Sequence, residues 1–178
     1  MGCRLVRGRD EDVVSGRIVE VEAYRGIEDA ASHARFGRTK RNAIMFGPPG
    51  IAYVYLVYGM HHCLNVVTEV EGQPAALLVR AVEPIVGAER MRSARIAWLA
   101  AHSGSRSAET MARGRDRLTA AQVTELASGP GLVCAAFGID ARDNGTDLCD
   151  PDSMLRLEPA PSGEPLPEIG CGPRLRSG

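Results

Sequence analysis

Residues 17–24 read Arg17-Ile18-Val19-Glu20-Val21-Glu22-Ala23-Tyr24. The alternation is too regular for a helix. In an extended strand Val19, Val21 and Ala23 share one face, and Ile18, Glu20, Glu22 and Tyr24 share the other. The apolar face is expected to pack on a core. The opposite face carries two carboxylates two residues apart, beside an aromatic ring. Partial burial of that face would make at least one carboxylate harder to ionise, through desolvation and a like-charged neighbour. A carboxylate in that setting is a candidate general base. The same alternation also suits a strand whose polar face meets water.

Downstream, Gly26 ends the strand and Asp29 is placed to cap a short turn. His33 follows nine residues after Tyr24, close enough to fold back over the same face. Arg35, Arg38, Lys40 and Arg41 come next, interleaved with Gly37 and Thr39, a pattern that fits a solvated loop or a phosphate-contacting one. Gly47-Pro48-Pro49-Gly50 is a hard turn. It feeds the β-prone run Ile51 to Tyr58, which reverses at Gly59 and returns through Cys63 to Thr68. A hairpin results, with Tyr58-Gly59-Met60-His61 at or near its tip. Tyr53 and Tyr55 share one face. Tyr58, beside a tip glycine, reads as an exposed wedge of the kind that enters a base stack.

Elsewhere the signals are those of a scaffold. Leu5-Val6 precedes a charged turn, and Ser15-Gly16 punctuates before the opening strand. Leu77 to Val82 reads as a strand. Glu83-Pro84 is expected to start a helix to about Ala101, with Met91, Ala94 and Trp98 on one core-facing side. Residues 102–117 are rich in Ser, Gly and Arg and read as a mobile loop, after which Thr119 is placed to cap a helix. Leu132 to Phe137 forms an apolar helix behind Gly129-Pro130-Gly131. Residues 140–152 are acidic and turn-rich, Leu155 and Leu157 suggest a short strand, and 159–167 is a Pro-rich loop.

The chain has 178 residues, 44% hydrophobic and 24% charged, which suits one globular domain with a real core. No apolar run approaches the length of a membrane-spanning helix, and no signal peptide opens the chain. Cys3, Cys63, Cys134, Cys149 and Cys171 are scattered, with no Cys-x-x-Cys pair. They read as reduced thiols in a cytoplasmic protein without a zinc site. The formal net charge is −1, but residues 1–120 hold 17 Arg or Lys against 13 Asp or Glu, and residues 121–178 hold 4 against 9. Such a chain can still present a basic face.

Several motifs in order resemble one family. They are residues 17–24, His33, Arg41-Asn42, Met45-Phe46, Pro49-Gly50, Tyr53 to Met60, Asn65-Val66, Leu78 to Pro84, Ser128 to Gly131, and Cys134 to Leu148. Over roughly residues 2–172 the pattern is similar to that of the alkyladenine (3-methyladenine) DNA glycosylases. The resemblance implies an α+β fold in a single domain over 1–178. Its curved, mostly antiparallel sheet would resemble a formyltransferase C-terminal domain, with surrounding helices and a protruding DNA-inserting β-hairpin. It implies a monofunctional base-excision repair enzyme acting on damaged double-stranded DNA. The enzyme would flip out alkylated or deaminated purines (3-methyladenine, 7-methylguanine, hypoxanthine, ethenoadenine) and hydrolyse the N-glycosidic bond.

Carried onto this chain, the resemblance makes Glu22 the base that activates a water. Arg80 and the backbone carbonyl of Ile169 would help hold that water. Tyr24, His33 and Tyr55 would enclose the flipped base, Asn65 would crowd the amino group of normal guanine, and Tyr58 would fill the vacated stack. Arg38, Arg41 and backbone groups near Met60 and His61 would touch phosphates. Glu20 is given no chemistry. The resemblance implies no cofactor or metal; a monomer is the default expectation, and with no membrane segment the enzyme is expected to be cytoplasmic and to join the nucleoid when bound to DNA. Three departures stand out. Leu132 replaces a usual lysine, Pro167-Glu168-Ile169-Gly170 has Glu where the family has Arg, and both ends look short, with Arg174-Leu175-Arg176 supplying no convincing final strand. These departures motivate the alternative of a catalytically weak lesion-binding remnant.

Overall fold

The computed structural model describes residues 1–104, 107–163 and 168–173. Among them, strands β1 (Arg4–Arg7), β2 (Val14–Arg25), β3 (Ala52–Val57), β4 (His61–Val67), β5 (Ala75–Val86) and β6 (Leu155–Glu158) form one sheet in the order β3-β4-β5-β2-β1-β6. Every neighbouring pair is antiparallel. The helices are α1 (Ala88–Ala101), α2 (Ala108–Ala120) and α3 (Pro130–Phe137). Sheet and helices are segregated along the chain, as the expected α+β class requires.

The two faces of the sheet do different work. One carries the main core: Val54, Leu64, Val79 and Val82 pack with Met91 of α1 and with Val133, Cys134, Ala136 and Phe137 of α3. Pro130 opens α3 at a position that needs no N–H donor, and Gly138 closes it in a left-handed turn (φ 62°). The other face carries a smaller cluster of Tyr53, Val67 and Ala76 under Ala34 and Met45, with Tyr55 packed against it. Residues 32–46 therefore roof that face, and the candidate site lies beneath this roof.

Two bulges break the simple alternation of the quoted segment. Ile18 pairs with Val82, Glu20 with Ala81, and Val21 with Val79. Val19 is thus an extra residue in β2, and Arg80 an extra residue in β5. The bulge switches parity, so Ile18 and Val21 both face the main core while Val19 is left 37% exposed. Ala23 is likewise exposed. The expected apolar face of Val19, Val21 and Ala23 is corrected accordingly: only Val21 packs inward, and Glu22 is buried on the opposite side.

Other expectations are corrected too. Glu83-Pro84 continues β5 and starts no helix; Pro84 pairs opposite Gly16, and Gly87 (φ 76°) turns the chain into α1. Proline is tolerated there because β4 pairs with β5 only over Ala76–Leu78, leaving the far side of Pro84 unpaired. Ser15-Gly16 lies inside β2, where a Cβ on Gly16 would meet the Glu83 carbonyl at 2.5 Å. Much of the expected mobile loop is α2, capped by the Ser107 side chain on the Thr110 N–H. Gly114 serves its contact with α1, since a Cβ there would strike Leu99 at 2.8 Å. Thr119 sits in the last turn of α2, donating to the Arg115 carbonyl, and caps nothing. Pro167 and Arg174-Leu175-Arg176 lie outside the described residues.

Candidate active site

A row of paired residues crosses four strands: Tyr53 opposite Asn65, Asn65 opposite Leu78, and Leu78 opposite Glu22. It places Glu22 and Asn65 on one surface although 43 positions separate them. Glu22 is only 8% exposed. Its Oε1 accepts from the Tyr24 hydroxyl at 2.8 Å, and its Oε2 accepts from Arg80 Nη1 at 2.7 Å. Both partners donate to it. A carboxylate offers about four acceptor positions, which leaves room on Glu22 for a water.

Arg80 reaches Glu22 because it is the bulged residue of β5. Its ladder place is given up, its carbonyl accepts from Gly129 N at 2.8 Å, and its side chain is re-aimed across the sheet. The same guanidinium donates from Nε to Glu20 at 2.7 Å. Arg80 thus bridges two carboxylates. Its pKa is raised first by the hydrogen bond to Glu20, with Glu22 adding to the effect. Glu20, given no chemistry from the sequence, is part of this network.

The roof supplies His33. It begins a one-turn 3-10 helix, His33–Phe36, capped by Ser32, whose Oγ accepts from Ala34 N at 3.1 Å. The buried Asn42 amide donates to the His33 carbonyl at 2.8 Å and to the Gly37 carbonyl at 2.9 Å, and its Oδ1 accepts from Thr39 N at 2.6 Å. Asn42 is the clasp of this loop. The His33 ring packs edge-on against Tyr55 at 4.5 Å between centroids, and its Nδ1 lies 3.0 Å from the Tyr53 hydroxyl. Burial, then the charge of Arg41, lowers the His33 pKa, which keeps the ring neutral at neutral pH. Burial raises the phenol pKa of both Tyr53 and Tyr55. Asn65 is buried, and its amide donates to the Tyr53 carbonyl at 3.1 Å.

The hairpin tip is a tight turn. Met60 N bonds the Val57 carbonyl at 3.2 Å, and both central residues have positive φ, 52° at Tyr58 and 69° at Gly59. That primed turn matches strand twist but favours Asn-Gly over Tyr-Gly. Tyr58 stands 79% exposed. His61 is turned inward: its ring stacks on Trp98 at 4.7 Å, and Trp98 stacks in turn on His102 at 4.6 Å. Any outward contact near Met60 and His61 therefore falls to Met60 and the backbone. Arg41 donates to the Leu56 carbonyl at 3.3 Å and lies over Tyr55, tying the roof to the hairpin. The Arg38 guanidinium lies 6.0 Å from the Phe46 ring. Ile169 is exposed in the segment 168–173.

The structure thus gathers Glu22, Tyr24 and Arg80 in one cluster and His33 and Tyr55 in a second, with Asn65 on the row that joins their strands. Sequence reasoning passed over Glu20, Tyr53 and Asn42 as parts of the site. Each carried a signal: Tyr53 its shared face with Tyr55, Glu20 its shared face with Glu22, and Asn42 its place in the Arg41-Asn42 motif. Among the described residues no group of three His, Cys, Asp or Glu side chains could hold a metal ion, and no helix is long and apolar enough to cross a membrane.

A family model described as methylpurine-DNA glycosylase matches residues 1–176. The chain belongs to the methylpurine-DNA glycosylase family. Relatives named "Putative 3-methyladenine DNA glycosylase" agree with it. One from Alkaliphilus oremlandii is 43% identical over 159 residues, covering 89% of this chain and 71% of that relative. One from Koribacter versatilis is 42% identical over 158 residues, covering 88% and 66%. One from Bacillus cereus is 40% identical over 179 residues, covering 98% and 78%. Membership in this family puts the chain among the DNA glycosylases of DNA repair.

Proposed function

We propose that this chain is a monofunctional glycosylase that extrudes alkylated or deaminated purines from duplex DNA and hydrolyses their glycosidic bond with Glu22 as general base. The observation that carries the reading is the burial of Glu22 between two donors that leave it room to take a water. In the reaction the water oxygen bonds to the sugar C1′ and its proton passes to Glu22. The bond from C1′ to the purine breaks, and the base keeps the electron pair. A cationic alkylated purine leaves neutral and needs no acid; a neutral deaminated purine leaves as an anion and takes its proton from solvent water. Positive charge grows on the sugar in the transition state, and a fixed carboxylate stabilises it. Arg80 and the Ile169 carbonyl would complete the water's coordination.

The flipped base would stack between Tyr24 and the His33–Tyr55 pair. Electron-rich rings favour a cationic purine, and the neutral His33 ring adds no repulsion. Asn65, fixed by the strand carbonyl it bonds, cannot swing aside for the amino group of normal guanine. Tyr58 would occupy the gap in the stack, and Arg38, Arg41 and the backbone at Met60-His61 would hold phosphates without reading sequence. Lys40 is the chain's single lysine, and it sits in the roof loop rather than beside Glu22. A Schiff-base strand cleavage is accordingly not part of the proposal.

The test is single-turnover release of hypoxanthine and of 3-methyladenine from duplex DNA, with Glu22→Gln alongside. Release by the native chain, lost by at least about a thousandfold in Glu22→Gln while lesion binding persists, is the expected result. Lesion-dependent binding without release by the native chain would make it a lesion-binding protein instead. No binding by a chain that melts normally would sink both readings.

A further inference from the structure

The chain has three phenylalanines. Phe137 is in the main core and Phe46 packs on the smaller cluster. Phe36 packs on neither cluster and is 82% exposed, the most exposed large apolar side chain among the described residues, with Tyr58 next. It closes the 3-10 helix that His33 opens. Residues three apart on such a helix eclipse one another, about 6 Å apart along the axis. Phe36 therefore rises from the same side of the roof as His33. Tyr58 leaves the same region from the hairpin, three residues after the Tyr55 that His33 touches.

The ring is also held in place. The Arg35 guanidinium lies 4.4 Å over one face, and Arg35 Nη1 is anchored on the Ala30 carbonyl at 2.9 Å. The chain around it is of one sign. No Asp or Glu occurs between Asp29 and Glu69, a stretch that carries Arg35, Arg38, Lys40, Arg41 and Tyr58. An exposed aromatic ring set among cations suits a polyanion that displays flat bases.

We propose that Phe36 is a second aromatic contact to DNA, stacking on a nucleotide that flanks the extruded one; this rests on the glycosylase reading above. Tyr58 fills the vacated space, while Phe36 supports the strand beside it.

Binding is measured by fluorescence anisotropy with a hypoxanthine-containing duplex over a range of salt, in a Glu22→Gln background that leaves the duplex intact. Phe36→Ala, Phe36→Tyr and Arg38→Ala are compared, each checked by thermal melting. Phe36→Ala is expected to weaken binding about fivefold or more at every salt concentration, as loss of a stacking platform does. Phe36→Tyr should restore it. Arg38→Ala should instead flatten the salt dependence by roughly one unit of slope, as loss of a phosphate contact does. Equal affinity for Phe36→Ala and its parent overturns the proposal, and so does a loss accompanied by the arginine-like change of slope. Hypoxanthine release by the native chain is scored separately, so the glycosylase reading can stand where this contact falls. A parent that melts normally yet ignores the lesion duplex defeats both.

Discussion

Glu22 and Arg80 form a largely buried pair, with side-chain exposures of 8% and 21%. Removing one partner leaves the other uncompensated. Arg80→Ala is expected to cost about 3 kcal/mol in urea denaturation and to slow base release. Glu20 is half exposed, yet its carboxylate sets the guanidinium's second anchor. Glu20→Ala should therefore slow single-turnover release by less than Arg80→Ala does. The double variant should be no slower than Arg80→Ala alone; additive losses would show that Glu20 does not act through Arg80. Tyr58 presents the opposite balance. A tyrosine at positive φ is strained by about 1 kcal/mol, so Tyr58→Asn should raise the melting temperature while weakening lesion binding. At this scale the sequence displayed Glu22, Tyr24 and Tyr58 through strand parity and the tip glycine. It hid Glu20's role, because Arg80 reaches Glu20 only from a bulge, and a bulge has no signature in an alternating pattern.

The hairpin, α3 and β6 were legible because their signals are local: a β-branched and aromatic run with a tip glycine, a proline-led apolar segment, a pair of leucines two apart. The full extent of β5 and the helix α2 were not. Proline normally ends a strand, and only the limited reach of β4 excuses Pro84. The Arg-rich stretch looked loop-like because its glycine serves helix packing against Leu99 and not a turn. The junction of β2 and β5 holds the site's ion pair, so its tight spots are sensitive. Gly16→Ala would push a methyl into the Glu83 carbonyl at 2.5 Å. A loss of about 2 kcal/mol or more is expected, read as a lower urea midpoint. An unchanged midpoint would mean that β5 yields at this point.

Across the molecule, two histidines, His33 and His61, have pKa values pushed below the ordinary 6.5, in each case first by burial. The unfolded chain takes up protons that native His33 and His61 resist. Their contribution therefore favours the native state fully above pH 6.5 and declines as pH falls through the values depressed by burial. The melting temperature should drop between pH 7 and 5.5, and the drop should shrink in His33→Gln and in His61→Gln. A profile identical to the native one in both variants would assign the pH response elsewhere. The Glu22–Arg80 pair has a further consequence. Its members stand 58 positions apart and meet only when β2 and β5 have zipped together. A chain still emerging, or one partly unravelled, holds a carboxylate without its arginine and a roof without its floor. On the mechanism proposed above, base removal waits for the completed fold, because only then do the carboxylate and its arginine meet.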